Sequence, residues 1–316
     1  MAPAVLMPYL RTGKLLTLRA WAQVAVLAPK GPGETAPSFI VGCGRSGTTI
    51  LGQILAAHPE VTYLSEPHHL WRAVDARTDV PGLHGSATGA RFFLDASDRT
   101  DRAQKRFDTL IAGAARPGTR VIEKLPHNVA RIGWLESITT GARYVHIVRN
   151  GLAVADSIGR IATHSTYRMA FKPRHNQWWG VDDAKWATLR EQGAQRGYFA
   201  ADVGELSTHA QRGAYEWLVS IGEADRRRAE LGDRLLEFTY TEFTTRPGET
   251  LDRLCAHVGI GVPGDWRRRA VDMVRPEQAL AGVALELPQA MADQFNSLQE
   301  RYGFEGRACV RAERAT

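Results

Sequence analysis

A chain of 316 residues with 44% hydrophobic side chains can build one large α/β domain or two small ones, and no Pro/Gly-rich linker argues for two. Its net charge of +6 comes mostly from arginine, which suits anionic ligands such as nucleotides, sulfate or anionic lipid, while no nucleic-acid-binding module accompanies it. Cys43, Cys255 and Cys309 are too scattered for a disulfide framework or a zinc site, so a reducing, cytoplasmic setting is expected.

Residues 1–37 form an apolar and basic segment, with Leu10, Leu15, Leu16, Leu18, Trp21 and Val24 interleaved with Arg11, Lys14 and Arg19. The run is too short and too polar to span a bilayer, and it lacks a signal-peptide cleavage site. Two readings stand: a helix packed on the domain, or a basic helix making peripheral contact with a membrane surface.

The main domain is expected over 38–316. Ser38-Phe39-Ile40-Val41 reads as a strand, Gly42 to Gly47 as a tight loop, and Thr48 to about His58 as a helix stopped by Pro59. Glycines let backbone N–H groups approach an anion, and the new helix points its positive end at it. Ser46, Thr48 and Thr49 add hydroxyl groups, and Arg45 adds a planar fork of donors. Gly42 and Gly47 nearly satisfy the G-x-x-x-x-G-K-[ST] phosphate-loop pattern, but Thr48 stands where an NTPase needs lysine.

Val61-Thr62-Tyr63-Leu64 reads as the second strand, ending in Ser65-Glu66-Pro67-His68-His69. Glu66 either faces the first loop or caps and pairs locally. The two histidines read as surface or packing residues, and no third ligand is spaced to make a metal site with them. An irregular insertion occupies residues 73–118, with a helical patch from Arg102 to Ala115. Thr119 to Lys124 is the third strand. Lys124 at its end is either a fixed charge for a leaving oxyanion or an exposed strand-end lysine.

A helix is expected over Val129–Ile138, and Arg143–Val148 as a buried fourth strand leading into Arg149-Asn150-Gly151 and a further helix. Arg149 and Ser157 could converge on one phosphate monoester. A second insertion, over 161–210, carries Tyr167, Phe171, Trp178, Trp179, Trp186, Tyr198 and Phe199; these rings either stack on an acceptor or form the core of a small helical subdomain. Gln211–Leu231 reads as a long helix and Arg234–Tyr240 as a fifth strand. Thr245 reads as the N-cap of a helix with Pro247 in its first turn, and a last helix is expected near Leu287–Tyr302.

Several separated pieces agree with one family. Gly44-Arg45-Ser46-Gly47-Thr48-Thr49 resembles the 5′-phosphosulfate loop of sulfotransferases that use 3′-phosphoadenylyl sulfate (PAPS). Arg149-Asn150-Gly151 through Ser157 resembles their 3′-phosphate motif. Phe238-Thr239-Tyr240-Thr241-Glu242-Phe243 is similar to their late strand–helix unit, with Tyr240 at the donor, and Arg301-Tyr302-Gly303-Phe304 to their usual close. The stretch from His58 to Glu66 resembles the protein-tyrosine enzymes, in which the equivalent glutamate is the base and a lysine matching Lys124 serves the transition state. The cytosolic aryl and steroid enzymes instead carry a histidine base before Leu-Pro, where this chain has Lys124.

The resemblance implies a single α/β domain of P-loop NTPase-like sulfotransferase fold, with a central parallel sheet of about five strands flanked by helices. It implies PAPS as co-substrate, PAP (adenosine 3′,5′-bisphosphate) as product, no metal, and in-line transfer to a hydroxyl with Glu66 as base and Arg45 and Lys124 neutralising charge. Having neither an anchor-length span nor paired cysteines, the chain departs from the Golgi enzymes. The expected acceptor is therefore a small molecule, such as a carbohydrate, a glycolipid or a glycosylated or aryl metabolite, and a tyrosyl peptide is the alternative. The rivals of another class are a P-loop kinase or NTPase and a non-catalytic nucleotide-binding protein.

Overall fold

A computed structural model describes residues 6–27, 36–85, 87–170, 175–277 and 284–311. Five strands form one sheet: β1 (Ser38–Val41), β2 (Val61–Ser65), β3 (Arg120–Lys124), β4 (Arg143–Val148) and, late in the chain, β8 (Leu235–Thr239). Their order is β2-β3-β1-β4-β8 and every pairing is parallel. The expected fold class is therefore the observed one. Parallel strands need crossovers, and here helices cover both faces.

The strands show this double burial directly. Phe39 and Val41 of β1 join one apolar cluster, while Ile40 between them joins another. Val121 and Ile122 of β3 divide the same way. One face is covered by α2 (Thr48–Ala56), α10 (Pro247–Val258) and α11 (Gly264–Met273). The other carries α3 (His68–Val74), α4 (Asp101–Leu110) and α5 (Ile132–Ile138). A third cluster unites α6 (Gly151–His164), α7 (Ala184–Gln195), α8 (His209–Leu231) and α12 (Gln289–Arg301). The first helix, α1 (Met7–Ala25), leans on α3, and its Trp21 ring lies 6.1 Å from that of His69.

Side-chain caps set several helix starts. Thr208 accepts from the Gln211 N–H, and Gln211 completes a capping box at the start of α8; Asn150 opens α6 by accepting from the Leu152 N–H at 2.9 Å. Thr239 caps α9 (Tyr240–Thr245), so the fifth strand stops one residue before Tyr240. This corrects the reading of Thr245 as an N-cap. Thr245 ends α9, its hydroxyl bonds back to the Thr241 carbonyl, and Arg246 stands at the start of α10 without a side-chain cap.

The insertions are built structure. In the first, the buried Arg131 guanidinium donates to the carbonyls of Thr78, Arg91 and Phe92, which ties the irregular segment down. In the second, three short antiparallel strands, β5 (Thr166–Tyr167), β6 (His175–Asn176) and β7 (Gly180–Val181), precede α7. Trp179 and Trp186 are buried there in the cluster shared with α6, α8 and α12, and Trp178, Tyr198 and Phe199 pack partly buried against it. Phe171 lies outside the described residues. The chain closes with α12 and a parallel pair of two-residue strands, β9 (Glu286–Leu287) and β10 (Cys309–Val310).

Candidate active site

β1, β2, β3, β4 and β8 all point their carboxyl ends at one edge of the sheet, where an open α/β sheet carries its ligands. The loop after β1 begins at Gly42, with φ +133°, whose N–H donates to the Pro126 carbonyl at 3.0 Å. Gly47 has φ +96°, and a Cβ there would lie 2.3 Å from the Tyr240 ring. Gly44 is equally constrained, because a Cβ would lie 2.4 Å from Trp178. Arg45 adopts φ +70°, a conformation that strains a residue with a side chain. No side chain caps α2, so its N-terminal amide groups face the loop. Ser46 Oγ is buried and finds no hydrogen-bond partner among the described residues. A strained, amide-rich loop with an unmatched buried hydroxyl fits a bound anion.

Register brings Glu66 and Lys124 together. Ser65 of β2 pairs with Lys124 of β3, and the Glu66 N–H donates to the Lys124 carbonyl at 2.7 Å. Glu66 then turns with φ +43°, which swings its side chain back over the sheet edge. Lys124 Nζ donates to Glu66 Oε1 at 2.5 Å; the lysine is buried and the carboxylate half exposed. Burial opposes ionisation of Glu66, but the Lys124 charge and hydrogen bond, helped by His68, outweigh it and hold the carboxyl below its usual range.

The second basic centre lies beside the loop. Arg45 Nε donates to Ser157 Oγ at 3.0 Å, and Arg149 donates to the Arg45 carbonyl at 3.3 Å. The Arg149 guanidinium lies 4.7 Å from the centre of the Tyr240 ring, and its Nε donates to Glu277 at 2.7 Å. Glu277 also accepts from Thr241 at 3.0 Å, so its carboxylate sits among groups able to hold a phosphate. Burial, then the nearby Arg149 charge, lower the Arg45 pKa from its usual value. Glu66 and Lys124 at the ends of β2 and β3, the loop after β1, and Arg149, Ser157 and Tyr240 beside it thus all lie at this edge.

A cleft opens from the loop past Glu66. Sequence reasoning missed its far wall. His68 and His127 line it with ring centroids 5.7 Å apart. Burial lowers the His68 pKa to about 4 and drives that of His127 well below its usual value, so both imidazoles are neutral at pH 7. His127 Nε2 is buried and finds no hydrogen-bond partner among the described residues. Lys185 donates to both Glu216 oxygens at 2.7 and 2.9 Å, and Trp178 Nε1 donates to Glu216 at 3.0 Å. Lys185 also lies 4.3 Å from the centre of the Trp178 ring. These residues come from four stretches separated in sequence, and only Trp178 in the aromatic insertion and the histidine pair next to Glu66 offered a local signal. Cys43 lies behind the wall; burial and then Glu216 push its thiol well above its usual pKa, so it packs there as a neutral thiol. Among the described residues no group of three or more His, Cys, Asp or Glu side chains is placed to hold a metal ion.

Comparison with known proteins bears on this arrangement. Nodulation protein NoeE of Sinorhizobium fredii is 30% identical over 127 residues, which is 38% of this chain and 30% of that protein. Mouse carbohydrate sulfotransferase 5 is 36% identical over 58 residues, 18% of this chain and 14% of that protein. An uncharacterized Aquifex aeolicus protein is 27% identical over 54% of this chain and 22% of its own length, so the chain spans less than a third of each of these relatives. Among solved structures, sulfotransferase STF9 from Mycobacterium avium superposes with a TM-score of 0.50 at 14% identity, covering 94% of this chain and 84% of that one. The sulfotransferase domain of the curacin biosynthetic pathway does so with a TM-score of 0.50 at 12% identity, covering 85% and 98%. A family profile described as "Sulfotransferase family" matches residues 37–203, more than half of the chain, including the loop, Glu66, Lys124, Arg149 and the cleft wall through Lys185. By that match the chain belongs to the sulfotransferase family.

Proposed function

We propose that this chain transfers a sulfuryl group from PAPS to a hydroxyl of a carbohydrate-like small molecule, with Glu66 as base. The observation that carries the reading is the Lys124–Glu66 pair, set between the anion loop and the cleft. When bound, PAPS supplies the sulfuryl group and a phosphate leaving group. Arg45, Ser46, Thr48 and Thr49 hold its anionic end at the start of α2, and Arg149, Ser157 and Tyr240 select the 3′-phosphate. Glu66, ionised at neutral pH, takes the proton of the acceptor hydroxyl, and Lys124 supplies positive charge where the departing phosphate gains negative charge.

The wall favours a polyhydroxylated acceptor. Neutral His68 and His127, with Gln177, offer hydrogen bonds without fixed charge, and Trp178 offers an aromatic face. The printed name of the mouse relative, a carbohydrate sulfotransferase, points the same way. The test is incubation with radiolabelled PAPS and a panel of sugar and aryl acceptors, beside calorimetry with PAP. Glu66→Gln should lose at least about 100-fold in transfer while PAP still binds. Wild-type transfer by that variant removes Glu66 from the role, and an absence of PAP binding by the wild type removes the reading altogether.

A further inference from the structure

We infer that the outer face of α1 docks on an anionic lipid bilayer, an interaction separate from the transfer chemistry. Eight of the eleven exposed large hydrophobic side chains among the described residues lie on α1 or within two residues of its ends, although that segment is a small part of the chain. They do not scatter around the helix. Pro8, Thr12, Leu15, Leu18, Ala22 and Val26 recur every three or four residues on the side that meets the domain, where the Thr12 hydroxyl accepts from the Ala170 N–H at 2.9 Å. Leu6, Tyr9, Leu10, Leu16, Trp21 and Val24 recur on the opposite side and are between 49% and 67% exposed. An apolar stripe of this size on the outside of a monomer marks a place of contact.

The charge on the helix identifies the contact. Lys14 is exposed at one margin of the stripe, Arg19 is exposed but on the side nearer the domain, Arg11 lies half-buried there too, and the helix contains no acidic residue. A second copy of the chain laid on this stripe would bring the same cations together, whereas anionic headgroups neutralise them. Tyr9 and Trp21 carry amphipathic rings of the kind enriched at the membrane–water boundary. No helix among the described residues is long and apolar enough to cross a membrane, and α1 is roughly 28 Å long, which suits a helix lying in the interface plane.

The full-length protein should float with vesicles of phosphatidylcholine containing about a third phosphatidylglycerol. It should partition at least about tenfold less onto pure phosphatidylcholine, and high salt should weaken the binding. Leu16→Glu/Val24→Glu should lose at least about tenfold of that partitioning. Its thermal midpoint should be unchanged, because both replaced side chains face outward. A Lys14→Ser/Arg19→Ser variant should lose the preference for anionic vesicles. The inference fails if the wild type does not float with the anionic vesicles, or if the glutamate variant floats as well as the wild type. It fails also if light scattering finds a dimer that the glutamate variant abolishes, since the stripe is then an interface between copies.

Discussion

Among single residues, Lys124 would have two separable effects on the proposed transfer: its charge would stabilise the departing phosphate, and it lowers the titration of Glu66. With Lys124 present the Glu66 carboxyl titrates below its ordinary value, so kcat/KM should be flat through neutral pH and fall only as acid reaches that depressed value. Lys124→Met leaves burial unopposed by its main counterweight. The acid limb should then move to higher pH while the plateau drops, and a profile lowered without moving would show that Lys124 does not control the base. The loop, Glu66, Lys124 and Arg149 were legible in the sequence because each stands at or just after a strand's carboxyl end, and parallel strands bring such positions to one edge, while Ser157 was legible from its place in the helix that follows Arg149. Lys185 and Glu216 were not legible, because they stand on helices far from any strand end of the sheet, and His127 near the end of β3 carried no motif to single it out. The pairing of Ser157 with Arg45, and of Arg149 with Glu277, also depends on packing that local pattern does not encode.

At the level of elements, α7 and α8 are joined through the cleft wall by a buried ion pair, Lys185 with Glu216, both nearly shielded from solvent. Such a pair adds little net stability as a whole, but removing one member strands the other charge in the interior. Lys185→Met alone should therefore lower unfolding stability by about 3–5 kcal/mol, and Lys185→Met/Glu216→Met should recover most of that loss, as read from urea unfolding midpoints. Equal losses in the single and double variants would mean that the pair is not buried in solution. Strands were legible from short apolar runs and long helices from their periodicity, and β4 matches its expected span residue for residue. The second insertion was harder, because two-residue strands carry no period and the same tryptophans serve a core or a ligand equally well. The short helix α9 is not foreseen in the sequence, and Thr245 reads there as the cap of α10, whereas Thr239 accepts from the Glu242 N–H and Thr245 ends the helix that Thr239 starts.

Across the whole molecule, acid sensitivity should centre on β8. Glu237 bridges His146 of β4 and Arg228 of α8, at 2.7 Å to each. Burial raises its pKa, but His146 and then Arg228 overcome that and bring it to about 2. A folded-state pKa depressed in this way stabilises the protein fully above the unfolded carboxyl value and loses its contribution as pH falls towards 2. Glu237→Gln should cost on the order of 3 kcal/mol at pH 7 and flatten the decline in stability between pH 5 and 3, as measured by urea unfolding across that range. An unchanged acid limb would place the titration elsewhere. Glu277 bears on the molecule as a whole in a different way. Its carboxylate already neutralises Arg149, so a donor seeking that guanidinium enters as a competitor and not as a first occupant. Measured donor affinity would then be an exchange constant, less steep in salt than two bare arginines suggest, and spent nucleotide would have an internal rival helping to expel it.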